Sequence, residues 1–228
     1  MEMNMADQYT LQHQSVFLTK VPVHTLLSRS ALHKPRKGWE LNNPQVRHRA
    51  IMALFPEVDA KHPRAEMGIL FRLDYTPGAP PFFLIQSKEP ILQSGLPSEV
   101  ETKEVLIPKI PIGNPVSFRV AVNAVQRVSS GGIRSIPLDG AEVLPGVPSL
   151  LEWLAAKLSP ALDNVEIINS RREVLAPNID KEKRSIQIDT IDGVAIVSDS
   201  DALYNLQIAG VGRAKSYGCG LLSVQLLS

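Results

Sequence analysis

The alternation of apolar and polar residues in the first half of the chain predicts four strands and one long helix. Residues 1–15 are polar and are predicted to form a flexible tail, whereas Val16–Val23 alternates and is β-branched, which is typical of a strand. The Lys/Arg/Pro/Gly-rich segment Ser28–Asn43 predicts a long basic loop. Two later segments, AEMGILFRLDY and PFFLIQSKEP, predict a hairpin. ETKEVLI predicts a fourth strand, with at most a short helix before it.

The helix is predicted in NNPQVRHRAIMALFP, between the basic loop and the hairpin. Asn43 is a good N-cap, and Pro44 suits the first helical position. An apolar stripe at helical spacing follows, and Pro56 is expected to stop the helix. His48 falls beside this stripe, so we expect its ring at the margin between core and solvent.

The second half repeats the same order after a Pro/Gly-containing linker at residues 109–115. VSFRVAVNAVQRV predicts a strand, Ser129–Gly132 a turn, and Ile133–Leu138 a returning strand. SLLEWLAAKLS predicts a helix with a capping box at Ser149, and SDALYNLQIAGV a helix capped by Ser200 or Asp201. Strands are predicted in NVEIINSRREVL, RSIQIDTIDGVAIVS and GLLSVQLLS.

Two β-α-β-β-α-β passes predict an α+β protein with two tandem ferredoxin-like (RRM-like) domains. The predicted domains span residues 16–108 and 116–228, joined by the linker at 109–115. This fold hosts many functions and decides none of them, although its four-stranded sheet is the platform of RNA-recognition modules.

Composition excludes several classes of protein. Apolar residues make up 44% of 228, enough for a core, and no uncharged apolar run approaches the length of a membrane-spanning helix. One cysteine excludes an internal disulfide framework and a multi-cysteine zinc site. The polar N-terminus has no apolar signal core, so we expect a soluble cytoplasmic protein without a membrane partner.

The charges are unevenly distributed, although the formal net charge is only +1. Residues 20–49 hold seven basic side chains and one acid, whereas 109–138 and 205–228 hold basic residues and no acid. Twelve of the 23 acids lie in 139–202. The basic segments could converge into one cleft, or they could be unrelated solvated faces.

The most unusual stretch is Gly210–Gly220, which combines four glycines, two cations and one tyrosine. Glycines let backbone N–H groups approach a phosphate, Arg213 and Lys215 supply charge, and Tyr217 could stack on a base. The alternative is a tight helix-to-strand turn in which the glycines serve backbone geometry alone. A nucleotide-binding P-loop is a poor match because GxxxxGK[ST] is absent.

The sequence GVGRAKSYGCGLLSV at 210–224 resembles the C-terminal signature of the CRISPR-associated repeat-processing endoribonucleases of the type I-E Cascade complex, the CasE/Cse family. The resemblance extends in order to VFLTKVPV, HRAIMALFP, FRLDY, FLIQSKEP, FRVAVNAVQR and IRSIPL. It implies two ferredoxin-like domains, cleavage of the repeat hairpin in the CRISPR precursor transcript, and continued binding of the product.

The resemblance also implies a catalytic role for His48, which stands eight residues before the end of the Leu-Phe-Pro sequence, as in the family. The implied reaction is metal-independent attack of a 2′-OH on its own phosphate, giving a 2′,3′-cyclic phosphate and a 5′-OH, with no cofactor. An imidazole can serve either proton role near neutral pH, so the role of His48 stays open. Arg47, Arg49 or a cation of the basic loop could stabilise the transition state.

The chain departs from the family at Gln45, where many relatives have a tyrosine three residues before the histidine. Glutamine can form hydrogen bonds but cannot act as an acid or base. The second catalytic partner is therefore open, and a subunit that binds guide RNA without cutting it is the alternative function. A nucleotide-binding protein that uses the glycine-rich turn is a third, weaker hypothesis.

The expected partners are the repeat hairpin RNA and the other Cascade subunits. RNA is expected in a groove between the two sheets, with a basic hairpin entering one of its grooves. The candidate RNA contacts are Lys20, Arg36, Lys37, Arg119, Arg127, Arg134, Gly210, Gly212, Arg213 and Lys215. The carboxylates at Asp189, Asp192, Asp199 and Asp201 fit turn and capping chemistry, so no metal site is predicted.

Overall fold

A computed structural model describes residues 14–28, 41–92, 96–128, 131–138, 145–176 and 185–227. The predicted tail lies almost wholly outside these residues, as do Arg36 and Lys37 of the predicted basic loop. In the first half the elements are β1 (Ser15–Pro22), α1 (Val23–Ser28), α2 (Pro44–Met52), α3 (Pro63–Glu66), β2 (Leu70–Asp74), β3 (Phe82–Ser87) and β4 (Glu101–Leu106).

The second half follows with β5 (Pro115–Val122), β6 (Val125–Arg127), β7 (Ile133–Ser135), α4 (Leu150–Leu158), β8 (Leu162–Leu175), β9 (Ile186–Val197), α5 (Ser200–Ala209), a 3₁₀ helix (Lys215–Tyr217) and β10 (Leu222–Leu226). Two four-stranded antiparallel sheets result, in the orders β2-β3-β1-β4 and β10-β5-β9-β8. Both are the ferredoxin-like order, so the predicted α+β fold with two tandem ferredoxin-like domains is confirmed. The exact domain boundaries stay a prediction.

Local capping chemistry sets the two helices that the sequence predicted best. Asn43 Oδ1 accepts hydrogen bonds from the backbone N–H groups of Gln45 and Val46, at 3.0 and 3.4 Å. Ser149 and Glu152 form the predicted capping box at the start of α4. The predicted caps at the N-termini of both helices are confirmed, although α2 ends at Met52 and not at Pro56.

Each sheet buries one face under its helices. In the N-terminal domain Phe71, Phe83, Ile85 and Ile51 pack between β2, β3 and α2. In the C-terminal domain Leu150, Leu154, Leu158, Val120 and Ile191 are among the residues that form the corresponding core under α4. The other face of β2 carries Leu70, Arg72 and Asp74, all buried, and meets the C-terminal domain. The two domains therefore contact each other along β2.

Several predicted element boundaries were wrong for identifiable reasons. Residues 65 and 66, predicted as the start of a strand, belong to the short helix α3, and Gly68 at φ +62° leads from it into β2. The predicted strand from 116 to 128 breaks after Val122, where the Asp189 carboxylate accepts a hydrogen bond from the backbone N–H of Ala124 at 3.3 Å.

Two further corrections concern helices and their caps. Helix α5 is capped by Asp199, whose Oδ1 accepts from the backbone N–H of Ala202 at 2.9 Å, not by Ser200 or Asp201. Residues 88–92 and 96–100, the described part of the segment between β3 and β4, contain no helix. Within the predicted linker, Ile110 is buried in the C-terminal core.

Candidate active site

Helix α2 and the glycine-rich turn of the C-terminal domain meet at His48. The imidazole lies against the ring of Tyr217 in an edge-to-face arrangement, with 6.4 Å between centroids and 68° between planes. Position 48 thus contacts a turn that lies about three quarters of the chain away in sequence. The structure brings together the predicted catalytic residue and the predicted cation-bearing turn.

Two glycines allow the turn to pack closely against β2. A methyl group at Gly210 would lie 2.8 Å from Leu70 Cδ2, and one at Gly218 would lie 3.3 Å from the ring of Phe71. Both glycines have positive φ, +77° and +100°, which side chains rarely adopt. The glycines therefore serve backbone geometry, and that geometry sets the position of the 3₁₀ helix beside His48.

Burial perturbs the proton affinity of His48. The pKa of the ring is lowered from its ordinary value, mainly by desolvation and further by the positive charge of Arg64; the backbone of Ser216 partly offsets this by favouring the protonated form. Nδ1 is buried and makes no hydrogen bond of good geometry to any described residue. A lowered pKa favours the neutral imidazole near pH 7.

Two cations lie in the region of the imidazole: the charge of Arg64 acts on His48, and Lys215 belongs to the 3₁₀ helix that contains Tyr217. Lys215 and Arg64 are both half-buried, and each donates a 2.7 Å hydrogen bond to a backbone carbonyl: Lys215 Nζ to Ala209 and Arg64 Nη1 to Ile69. Burial and the charge of Arg64 lower the pKa of Lys215. Among the described residues, neither cation has a carboxylate within ion-pair distance.

Sequence reasoning did not select Arg64. It stands in a polar segment after Pro63, and nothing in its neighbours distinguishes it from any exposed arginine. Its place beside His48 depends on α3 folding back over the start of β2, which the sequence did not predict.

Arg47, expected as one candidate to stabilise the transition state, is instead buried between the domains. Its side chain is 1% exposed and forms two hydrogen bonds with the Glu173 carboxylate, Nη2–Oε1 at 2.8 Å and Nη1–Oε2 at 3.2 Å. Nε donates to the Leu41 carbonyl at 3.2 Å. With its donors engaged and its charge paired, Arg47 is not available to a phosphate, so that expectation is wrong.

Arg119, expected among the RNA contacts, is paired as well. It donates to both oxygens of Asp192, and its Nη1 lies 3.9 Å from Asp74 Oδ1. These carboxylates raise the pKa of Arg119 and neutralise its charge. The surroundings of Arg119 therefore argue against a direct phosphate contact.

Most of the remaining described candidates are accessible. Gln45 and Arg49 are exposed on α2, and Lys20 is exposed on β1 with its Nζ 5.1 Å from the centre of the Phe82 ring. Arg127 and Arg134 are exposed on the two-stranded hairpin β6–β7. Gly212 and Arg213 are exposed at the tip of the glycine-rich turn, whereas Gly210 is buried under it.

Within the described ranges, no three His, Cys, Asp or Glu side chains come together as a metal-binding group. None of the helices there is both long and apolar enough to cross a membrane.

A family model described as "CRISPR associated protein" matches residues 16–225, nearly the whole chain. The chain belongs to this family. The match includes α2, the basic hairpin and the glycine-rich turn, so every element of the candidate site lies within it.

Relatives and solved structures agree with this family. The Cascade subunit CasE of Escherichia coli K12 is 29% identical over 197 residues, which cover 82% of this chain and 94% of the relative. The crystal structure of Cas6e from Escherichia coli K-12 superposes with a TM-score of 0.60 at 25% identity, covering 92% of this chain and all of that one. Thermus thermophilus Cse3, bound to an RNA representing a pre-cleavage complex, gives 0.63 at 22% identity, covering 92% and 99%. The fold is shared along both domains.

Proposed function

We propose that this chain is an endoribonuclease that cleaves CRISPR precursor RNA at the base of the repeat hairpin without a metal ion. The observation that carries the proposal is the contact between the His48 ring and the cation-bearing turn. Relatives with the same fold support it: one is a Cascade subunit, and one is an endoribonuclease bound to RNA. The product stays bound as crRNA while the protein serves as a Cascade subunit, and this work takes place in the cytoplasm.

The chemistry follows from the state of His48. Its neutral imidazole accepts the proton of the 2′-OH as the 2′-oxygen attacks the adjacent phosphorus. A bond from O2′ to phosphorus forms, the bond from phosphorus to O5′ breaks, and the 5′-oxygen takes a proton from water. The products are a 2′,3′-cyclic phosphate and a 5′-OH. Lys215 contacts the phosphate with the donors of its ammonium group that the Ala209 carbonyl leaves free.

The exposed basic residues bind the RNA stem by its phosphates and shape. Lys20, Arg127, Arg134 and Arg213 are the described candidates for these contacts. The hairpin that carries Arg127 and Arg134 projects as a separate two-stranded sheet, which is a suitable shape for entering a groove. Each phosphate contact should steepen the logarithmic salt dependence of binding by roughly one unit.

The test uses a labelled repeat hairpin from the array of the same genome, incubated in EDTA with wild-type protein and with His48→Ala. We expect His48→Ala to bind the hairpin and to cleave it about 10²–10⁴-fold more slowly, the usual contribution of a general base. A hairpin with 2′-deoxyribose before the cut should bind and stay intact. Wild-type protein that binds without cutting, or a His48→Ala variant that cuts at the wild-type rate, would contradict the proposal.

A second candidate is a subunit that holds guide RNA without cutting it. Gln45, exposed one turn before His48 on α2, favours it because an amide cannot transfer a proton. The EDTA incubation separates the two functions, since a nuclease gives a discrete product and a pure binder gives only a mobility shift.

A further inference from the structure

We infer that Arg64 is a catalytic residue that binds a non-bridging oxygen of the scissile phosphate through the free donors of its guanidinium. This inference rests on the proposed function and adds to Lys215 a second cation that binds the phosphate, one whose position is fixed by a hydrogen bond of its own guanidinium. Arg64 stands on α3, outside every segment that the sequence singled out.

The position of Arg64 is fixed by the fold. Nη1 donates to the Ile69 carbonyl at 2.7 Å, which ties the guanidinium to the start of β2. The next residue, Leu70, packs against Gly210 at the base of the glycine-rich turn. The same turn places Tyr217 against His48 and carries Lys215, whose Nζ donates to the Ala209 carbonyl at 2.7 Å. Helices α2 and α3, strand β2 and the turn thus meet in the region that holds the guanidinium, the ammonium and the imidazole, and the charge of Arg64 acts on both His48 and Lys215.

Among the described residues, no carboxylate pairs with Arg64 or Lys215. Burial lowers the pKa of both His48 and Lys215, and the positive charge of Arg64 lowers both further, so Arg64 repels each of these groups when it is charged. Burial adds to the cost because it removes the water that would screen them. Among the described residues the nearby carboxylate of Glu173 is already committed to Arg47. An anion is therefore the missing partner, and a phosphodiester at His48 is the anion that the proposed function supplies.

The guanidinium suits this role better than an ammonium. Its planar fork presents five N–H donors, and the Ile69 carbonyl occupies only Nη1. The donors on Nε and Nη2 remain for phosphate oxygens. As the 2′-oxygen attacks, negative charge grows on the non-bridging oxygens, so a preorganised donor pair stabilises the transition state more than the bound substrate.

The test compares Arg64→Gln with Lys61→Gln, which removes an exposed cation three residues earlier, in single-turnover cleavage of the repeat hairpin. We expect Arg64→Gln to lose about 10²–10³ in rate, the cost of removing one oxyanion donor, and to retain hairpin binding. Lys61→Gln should cleave at the wild-type rate. Arg64→Lys should fall between them, because it keeps the charge and loses the fork.

Two readouts separate a phosphate contact from a structural role. A sulfur in place of one non-bridging oxygen should slow wild-type protein and should have a smaller effect in Arg64→Gln. The acid limb of the pH–rate profile should move to higher pH in Arg64→Gln, because a like charge acting on His48 is gone. Among the described residues, the other titratable groups on the element packed against that ring are Tyr217, which contacts it, and Lys215 of the same 3₁₀ helix.

The outcomes distinguish the inference from the proposed function. If wild-type protein cleaves and Arg64→Gln cleaves equally fast with the same pH midpoint, the inference is wrong and the proposed function stands. If Arg64→Gln is slow but its sulfur effect equals that of wild-type protein, the role of Arg64 is structural and the inference is again wrong. If wild-type protein does not cleave, the proposed function fails, and the inference fails with it.

Discussion

The buried ion pair between Arg47 and Glu173 joins helix α2 to strand β8, and its two halves should respond unequally to mutation. Arg47 is 1% exposed, whereas Glu173 is 24% exposed. Glu173→Leu leaves a guanidinium that water cannot reach, and an uncompensated buried charge costs about 3–5 kcal/mol of unfolding free energy. The hydrogen bond to the Leu41 carbonyl and the Phe83 ring 5.8 Å away remain, so we expect the lower end of that range.

The reverse change should cost less. Arg47→Met removes the buried charge and fills the space with an apolar chain of similar length, and water can hydrate the Glu173 carboxylate. The expected loss is about 1.5–3 kcal/mol, the value of hydrogen bonds to a charged group. The double variant Arg47→Met/Glu173→Leu contains no unpaired charge at this position. Its loss of unfolding free energy should therefore be smaller than the sum of the two single losses by about 0.5–3 kcal/mol.

The assay is urea unfolding followed by circular dichroism, with the free energy extrapolated to water. Glu166→Leu is the matched control, because it makes the same change at an exposed position of the same strand, and it should lie within about 0.5 kcal/mol of wild type. If Glu173→Leu costs no more than Glu166→Leu, or less than Arg47→Met, the argument from unequal burial is wrong.

Two further predictions concern the site itself. The acid limb of the pH–rate profile for cleavage should have its midpoint below 6.5, because burial and Arg64 lower the pKa of His48 and a general base must be unprotonated. The rate is measured with protein below saturation, so that the profile reports the free enzyme. A midpoint at or above 6.5 would contradict this prediction. Gly218→Ala and Gly212→Ala both place a side chain at positive φ, which costs about 1–2 kcal/mol each, but only the former meets Phe71 at 3.3 Å. Thermal unfolding should therefore show a larger loss for Gly218→Ala, and equal losses would refute close packing of the turn.

Short-range chemistry made much of the fold predictable from the sequence. The Asn43 cap and the Ser149–Glu152 capping box are formed by residues within three positions of each other, so their patterns are visible in a window of one turn. The two passes of strands and helices follow from hydrophobic period in the same way. Such patterns carry no information about partners far away in sequence.

The candidate site was only half predictable for that reason. Arg47 and His48 are neighbours in sequence, but successive helical residues point about 100° apart, so one reaches Glu173 on β8 and the other reaches Tyr217 of the turn. The partner of Arg47 lies 126 residues away, and no local pattern announces it. The sequence did not indicate Arg64, because its role depends on its position near His48 in the fold and not on the residues next to it in the sequence.

The two interpretations of the glycine-rich turn, a tight structural turn and a cation-bearing segment for RNA, are compatible. Gly210 and Gly218 are required because Leu70 and Phe71 of the N-terminal domain occupy the space that side chains would take. That same close approach brings the turn that carries Lys215 and Tyr217 against helix α2 at His48. A turn held further from the N-terminal domain would keep its cations, but they would no longer lie near His48. Catalysis by this chain therefore depends on the docking of its two domains as directly as on the residues that touch RNA.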